Sequence, residues 1–185
     1  GAYENTMRFQ DGLARASQEM QLSGFVITHL AKELLDGSGT KVIGHSTSVF
    51  GDHIPVDAFG MIDVNDCIGR INEKTILISV MYANNEIGTI QPIKDLSRSL
   101  SIKRKEGIYP IFHTDACQAA GYLSLNVKDL GVDLLSLNGS KIYGPKGVGV
   151  LYRKKSVAMR SIIFGGGQEE GLRSGTESLP HIVGF

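Results

Sequence analysis

From residue 75 onward, short apolar segments alternate with segments of helical pattern. Residues 75–81 (Thr-Ile-Leu-Ile-Ser-Val-Met) are rich in branched side chains and carry no charge, as buried strands of parallel sheets do. Further strands are predicted over residues 109–112, 132–137 and 148–152. Because strands that alternate with helices are joined by parallel crossovers, this pattern predicts an α/β fold with a mostly parallel sheet.

The helices between these strands have recognisable starts. Asp63 is placed to cap a helix that runs through Ile71, since an aspartate oxygen can accept from the free N–H groups of a first turn. Pro92 suits the first turn of a helix that continues to about Arg104. A short helix is predicted over residues 127–130.

The first 50 residues have no assigned role and are predicted to be mainly helical. Residues 8–35 carry apolar positions at helical spacing, in one helix or two, and a glycine-rich stop follows at residues 37–39. Residues 41–43 are a short strand candidate. Residues 44–53 show no clear pattern and are predicted to be a loop.

Composition limits the partners and the compartment that we expect. Lys+Arg and Asp+Glu are both 19, so the formal net charge is zero and nothing favours binding to nucleic acid or an anionic membrane. The sequence contains neither an apolar stretch of membrane-spanning length nor a signal-peptide pattern at its start. Two cysteines cannot form a disulfide framework and favour a reducing compartment, with the cytoplasm as the default expectation.

Two strand ends carry the residues with the clearest chemistry. Asp115 follows the run 109–112, and Lys141 follows the run 132–137. Ligands of open α/β sheets bind beyond the carboxyl ends of the strands, so the two residues are expected in one crevice. A lysine that bonds to the aldehyde of pyridoxal phosphate (PLP), and a carboxylate that pairs with its protonated pyridine nitrogen, are what a PLP site needs. The sequence therefore predicts part of a PLP enzyme.

These residues also have simpler interpretations. Asp115 could cap the following turn with Gln118 as its partner. Lys141 could be an exposed lysine in a loop rich in glycine and proline, as Lys146 is expected to be. The apolar strand before Lys141 favours burial, and desolvation activates an amine nucleophile. Ser140 offers a hydroxyl that suits a phosphate oxygen.

Two further features lie close to the expected crevice. Asn84 and Asn85 follow the first clean strand; such a pair usually forms a turn, but its position level with Asp115 and Lys141 favours a binding role. Cys117 is interpreted as a buried packing residue, because no histidine is evidently paired with it as a base. The five histidines show no metal-ligand spacing, and no metal is assigned.

Four segments, taken in order, resemble a known family. They are residues 83–88 (Ala-Asn-Asn-Glu-Ile-Gly), 113–118 (His-Thr-Asp-Ala-Cys-Gln), 136–147 (Ser-Leu-Asn-Gly-Ser-Lys-Ile-Tyr-Gly-Pro-Lys-Gly), and 165–177, in which Gly-Gly-Gly-Gln-Glu precedes Arg-Ser-Gly-Thr-Glu. Residues 54–185 thus resemble the class V aminotransferase family, and within it the cysteine desulfurases of the iron–sulfur assembly type. The resemblance implies the large domain of PLP-dependent transferase fold type I, with helices on both faces of the sheet, of which residues 51–185 would form an incomplete part.

The resemblance implies a role for each matching residue. Lys141 would hold PLP and move a proton at the substrate α-carbon. Asp115 would pair with the pyridine nitrogen, and Gln118 would contact the phenolic oxygen. Asn85 would lie beside the ring and help to hold the substrate carboxylate.

The phosphate site is where the sequence departs from the family. Ser140 stands where the family usually has a histidine that touches the phosphate, and Asn138 stands where it has a serine with the same role; both keep hydrogen-bonding capacity. Thr176 matches the residue that the family contributes to the neighbouring subunit's phosphate site, which implies a homodimer with shared active sites. The implied reaction converts L-cysteine to L-alanine and passes sulfur, as an enzyme persulfide, to an acceptor or scaffold protein.

Other parts of the family pattern are not found in this sequence. We expect the small C-terminal domain, with the catalytic cysteine loop and a substrate-binding arginine, to lie outside it. No phosphate loop or ring-stacking histidine is recognised upstream. Selenocysteine lyase, another class V lyase or aminotransferase, and a non-catalytic remnant domain therefore stay open as alternatives.

Overall fold

The computed structural model describes residues 41–44, 51–104 and 110–185. In these ranges the chain forms one six-stranded sheet with the order β2-β1-β3-β4-β5-β6. The strands are β1 (Lys41–Gly44), β2 (Gly51–His53), β3 (Thr75–Met81), β4 (Ile111–Asp115), β5 (Leu134–Asn138) and β6 (Gly149–Arg153). Strands β1 to β5 are parallel and β6 is antiparallel to β5. The predicted α/β fold with a mostly parallel sheet is confirmed.

Helices connect the strands, with starts close to those that the sequence predicts. The described helical elements are α1 (Val64–Gly69), α2 (Ile93–Lys103), α3 (Val127–Leu130), α4 (Leu179–Gly184), and two 3-10 turns at Gly139–Ile142 and Glu169–Gly171. Asp63 caps α1, since its side chain accepts from the N–H of Asp66 at 2.8 Å. Pro92 occupies the N-cap position just before α2 rather than its first turn.

One face of the sheet packs against the helices. Buried residues of α1, α2 and α3 share a single apolar cluster with β3, β4 and β5; the cluster includes Cys67, Leu96, Leu100, Leu130, Ile78, Val80, Phe112 and Leu135. Helices α1 and α2, and helices α2 and α3, contact each other. These three helices therefore lie side by side on the same face.

The other face changes character along the strands. Near the amino ends Leu77, Ile111 and Leu134 pack against Val157. Two residues further along each strand, on the same face, the side chains are Ser79, His113 and Ser136. This face is therefore apolar at the beginning of the strands and polar towards their carboxyl ends, which is where ligands of such sheets bind.

We expected helices on both faces of the sheet, and the described residues place α1, α2 and α3 on one face. The helical segment predicted over residues 8–35 lies outside the described residues. The short strand predicted over residues 41–43 is present as β1.

One expectation about the strands is wrong. The predicted loop over residues 44–53 contains β2, whose Gly51 and Asp52 pair with Val42 and Ile43 of β1. Gly-Asp-His has neither alternation nor high strand propensity, so tertiary pairing sets its conformation. The last connection is not a parallel crossover, because the segment between β5 and β6 holds only a 3-10 turn and is too short to return the chain to the start of the sheet.

Candidate functional site

The carboxyl ends of β3, β4 and β5 lie side by side. Met81 is level with Asp115, and Asp115 is level with Ser136. The chain continues from these ends into three loops: residues 82–91, residues 116–126, and the 3-10 turn that carries Lys141. The topology therefore brings the three predicted motifs to one edge of the sheet, because parallel strands end on the same side.

Asp115 is the last residue of β4 and is 9% exposed. Its Oδ1 accepts from the backbone N–H of Cys117 at 3.0 Å and so closes the turn that follows the strand. Oδ2 has no hydrogen bond to any residue in the described ranges. The capping interpretation thus accounts for one oxygen, and the other oxygen of this nearly buried carboxylate is available to a ligand.

His113 is a site residue to which the sequence pattern assigned no role. It is fully buried, two residues before Asp115 on the same face. Its Nδ1 lies 2.9 Å from Ser79 Oγ, and its Nε2 lies 3.2 Å from Ser136 Oγ. Burial lowers the pKa of His113 to about 4, against a smaller opposing effect of the Asp115 charge. The sequence signal that could have identified His113 is its position two residues before Asp115, because alternate residues of a strand share a face.

Lys141 lies in the 3-10 turn that directly follows β5. Asn138 caps this turn, since its Oδ1 accepts from the backbone N–H of Ser140 at 3.0 Å and from the Ser140 hydroxyl at 2.9 Å. Tyr143 ends it with a φ of 63°, a left-handed conformation that is unfavourable for a bulky residue. The three predicted residues of this segment are thus held in one hydrogen-bonded turn.

The expected burial of Lys141 is wrong. Its side chain is exposed, as is that of Lys146. The 3-10 turn carries Lys141 off the end of the buried strand, so the apolar residues before it do not enclose it. Position distinguishes the two lysines: Lys141 follows β5 directly, whereas Lys146 lies in the approach to β6.

The two asparagines of the first loop have different surroundings. Asn84 Oδ1 accepts from the N–H groups of Glu86 and Ile87 at 2.8 and 3.0 Å, so Asn84 forms the turn. Asn85 is exposed and makes no hydrogen bond to the described residues. The turn interpretation therefore fits Asn84 and leaves the Asn85 amide available.

The segment after Asp115 is compact. Gln118 is half-buried in the turn that Asp115 starts. Cys117 is buried, and its Sγ lies 3.8 Å from the carbonyl oxygen of Ser136. Its predicted burial is confirmed.

Thr176 belongs to a separate loop. Ser174 Oγ donates to the carbonyl of Phe164 at 3.0 Å, and the N–H of Gly175 donates to Gln168 Oε1 at 3.2 Å. Thr176 is exposed, and no hydrogen bond joins it to the strand-end residues in the described ranges. Of the seven predicted residues, six thus lie at this sheet edge, either at the end of a strand or in the loop that follows it, and Thr176 lies elsewhere.

These residues fit the polar groups of PLP. The free oxygen of Asp115 can accept from a protonated ring nitrogen, and the exposed amine of Lys141 follows the adjacent strand. In the turn after β5 the side-chain NH2 group of Asn138 can donate to a phosphate oxygen, and the Ser140 hydroxyl can do so by rotating away from Asn138 Oδ1. In the described ranges, no group of three or more His, Cys, Asp or Glu side chains could hold a metal ion.

Comparison with known proteins agrees with the motifs at this edge. Residues 43–185 match the sequence model of the family described as aminotransferase class-V. The chain belongs to the class-V aminotransferase family. The family match begins earlier than the expected residue 54 and includes the last two residues of β1 and all of β2.

Within this family, the chain is similar to proteins named as cysteine desulfurases and to solved NifS-like structures. The chain is 50% identical over 133 residues to a cysteine desulfurase IscS of Clostridium botulinum, which covers 72% of this chain and 32% of that protein. It is 47% identical over 135 residues to a mitochondrial cysteine desulfurase of Candida maltosa, covering 72% and 27%. A solved NifS-like protein has 37% identity and a TM-score of 0.75, covering 85% of this chain and 47% of that one. SspA in complex with cysteine has 34% identity and a TM-score of 0.71, covering 85% and 48%.

This class-V aminotransferase chain therefore has the incomplete fold expected of it. It spans about a third of the length of the curated cysteine desulfurase and about half of the solved chains. None of the helices that the structure describes has the length and hydropathy needed to cross a membrane.

Proposed function

We propose that residues 51–185 are part of the PLP-binding large domain of a cysteine desulfurase. The observation that supports this most directly is the register of β4 and β5, because it sets Asp115 level with Ser136, five residues before Lys141. The similarity to cysteine desulfurases, and to a solved relative in complex with cysteine, supports the reaction and the substrate. Residues 1–50 are kept apart as a segment of unassigned role.

Each site residue has a task that matches its surroundings. When bound, PLP withdraws electrons from the substrate α-carbon. Lys141 holds the cofactor and moves the proton at that carbon, and Asp115 keeps the ring nitrogen protonated through its free oxygen. Gln118 donates to the phenolic oxygen, and the exposed amide of Asn85 holds the substrate carboxylate.

The phosphate is held by the turn after β5 and by a second subunit. Asn138 donates through its side-chain NH2 group and Ser140 through its hydroxyl, which rotates away from Asn138 Oδ1; the two take the places of the family's serine and histidine. Thr176 reaches the phosphate of the neighbouring subunit, so the protein acts as a homodimer with shared sites. Its separation from the other six residues within one chain is in keeping with this role.

The reaction releases L-alanine from L-cysteine and leaves sulfur as a persulfide. Neither cysteine of this chain suits the sulfur, because Cys67 and Cys117 are buried and burial raises the pKa of Cys67 to about 11. The accepting thiol therefore comes from outside residues 1–185. From there the sulfur passes to an acceptor or scaffold protein for iron–sulfur cluster or thio-cofactor assembly. We place the protein in the cytoplasm, without nucleic acid or membrane partners.

Absorbance and mass spectrometry after incubation with PLP test this proposal. The parent chain should give a visible protein-bound PLP band and, after borohydride reduction, a PLP-modified peptide that contains Lys141. Lys141→Ala should lose both signals, whereas Lys146→Ala, a change of the same kind five residues away on the same exposed segment, should keep them. Equal labelling of both lysines, or no band in the parent, would contradict the assigned site and favour a non-catalytic remnant.

Substrate chemistry is tested on the PLP-loaded chain with an added thiol acceptor. Alanine and sulfide from L-cysteine would support desulfurase chemistry. Alanine from L-selenocysteine alone would favour the lyase alternative.

A further inference from the structure

A line of hydrogen bonds crosses three strands next to Asp115. Ser79 of β3 lies beside His113 of β4 in the sheet register, and Ser136 of β5 lies level with Asp115. The imidazole of His113 bridges the two hydroxyls through its two ring nitrogens. The three side chains share the face on which Asp115 ends β4.

The imidazole is neutral in this line. A neutral ring has one N–H donor and one acceptor nitrogen, so one serine must donate to it and the other must accept from it. Its complete burial disfavours the charged form, which would also have two donors. The geometry is thus fixed, and the tautomer of the ring selects one of two directions of donation along the line.

The neutral ring bears on the charge of Asp115. In the described ranges no lysine, arginine or histidine forms an ion pair with this carboxylate. A protonated His113 beside it would compete with any cationic ligand group. An uncharged His113 leaves the negative charge of Asp115 without an ion-pair partner among the residues that the structure describes.

We propose that His113 is a positioning residue, and that the Ser79–His113–Ser136 line fixes the end of β4 so that Asp115 presents an uncompensated carboxylate to a protonated aromatic nitrogen. This inference rests on the proposed function, because PLP is the ligand that supplies that nitrogen. In this role His113 acts through Asp115, since its two ring nitrogens are taken up by Ser79 and Ser136.

The opposite face of β4 supplies a matched control. Thr114 is buried next to His113 in the chain, and its hydroxyl donates to the carbonyl of Val80 at 2.9 Å. Thr114→Val therefore removes a buried hydrogen bond between the same two strands without touching the His113 line. The double variant Ser79→Ala, Ser136→Ala removes both partners of His113.

The test is PLP titration of the full chain, with the pH dependence of the bound PLP absorbance as the second readout. The double variant should bind PLP about tenfold more weakly, as loss of one to two buried hydrogen bonds allows. The pH midpoint of its absorbance change should also move, because a displaced Asp115 stabilises the protonated ring nitrogen of PLP less well. Thr114→Val should leave the midpoint unchanged.

Nitrogen NMR of the His113 ring gives a readout that needs no cofactor. In the parent the ring should be neutral, with one protonated nitrogen, at about pH 6. A doubly protonated ring at that pH would overturn the proposal. So would a double variant that matches Thr114→Val in affinity and midpoint while the parent binds PLP through Lys141. A parent that fails to bind PLP would instead remove the proposed function, and this inference with it.

Discussion

At the scale of the residue, burial rather than sequence position decides what His113 does. The pKa of His113 falls from an ordinary value of 6.5 to about 4, mainly because the charged ring would be desolvated. The unfolded chain takes up a proton near pH 6.5, and the folded chain does so only near pH 4. The stability contributed by the neutral ring is therefore complete above about pH 6.5 and is lost as the pH falls towards 4.

The pH dependence of unfolding should show this. In urea titrations, the His113 contribution to the free energy of unfolding should fall by about 2 kcal/mol between about pH 7 and about pH 5. In His113→Gln the free energy of unfolding should fall by about 2 kcal/mol less over the same pH interval, since glutamine does not titrate. His53→Gln, at an exposed position, serves as the control. If the free energy of unfolding of His113→Gln depends on pH as strongly as that of the parent, other groups dominate the acid sensitivity.

Residue-scale chemistry could be predicted only in part. The positions of Asp115 and Lys141 at the ends of neighbouring strands could be predicted because each follows an apolar run. The double use of Asp115, with one oxygen closing a turn and one free, depends on local geometry that the sequence leaves open. The exposure of Lys141 and the enclosure of His113 depend on which surfaces are covered, and strand patterns do not contain that information.

At the scale of the element, one buried carboxylate links the segments that precede the site. Asp133 is 1% exposed and accepts from the N–H of Phe112 at 2.9 Å and from Arg104 at 2.6 Å. Arg104 also donates to the carbonyl of Pro110. Lys154, beyond β6, lies farther from Asp133, at 3.4 Å. The end of α2 and the starts of β4 and β5 thus meet at a single charge.

Removing the two cations should have unequal effects. Arg104→Ala should lower the free energy of unfolding by about 3 kcal/mol, because it leaves the charge of Asp133 buried with fewer partners. Lys154→Ala should cost less than about 1 kcal/mol, since the Lys154 side chain is 55% exposed and solvent screens its charge. Urea unfolding curves with equal slopes measure both. Similar losses in the two variants would contradict the assignment of Arg104 as the principal partner.

Element prediction succeeded where packing demands a pattern. Strand β3 is buried on both faces and reads as a branched, uncharged run, and α1 and α3 begin at residues whose side chains accept from their first turns. Strand β2 failed because three residues at the sheet edge need no apolar pattern. Strand β6 is antiparallel because its connection from β5 is short. The alternation of strands and helices does not include that length.

At the scale of the whole molecule, the site divides into two parts. Six of the seven proposed residues lie at the strand ends or in the loops of one sheet edge. Thr176 lies in a different loop, whose neighbouring residues Ser174 and Gly175 bond to Phe164 and Gln168. Large apolar side chains stay exposed in this chain, including Tyr143 at 96%, Phe164 at 83% and Val183 at 85%. Surfaces of this kind often meet a partner, in keeping with the proposed homodimer.

Complementation between two defective chains tests the shared site. Lys141→Ala removes the covalent link, and Thr176→Ala should weaken PLP binding about tenfold by removing one phosphate hydrogen bond. If Thr176 serves the neighbouring subunit, a mixed dimer contains one site with intact Lys141 and intact Thr176, and one site that lacks both. Co-refolding the two variants should therefore restore parental PLP affinity in half of the sites of the mixed dimer. If Thr176 instead serves its own chain, every site lacks one of the two residues and titration shows no recovery. A monomer in sedimentation at the same concentrations would likewise contradict the shared site.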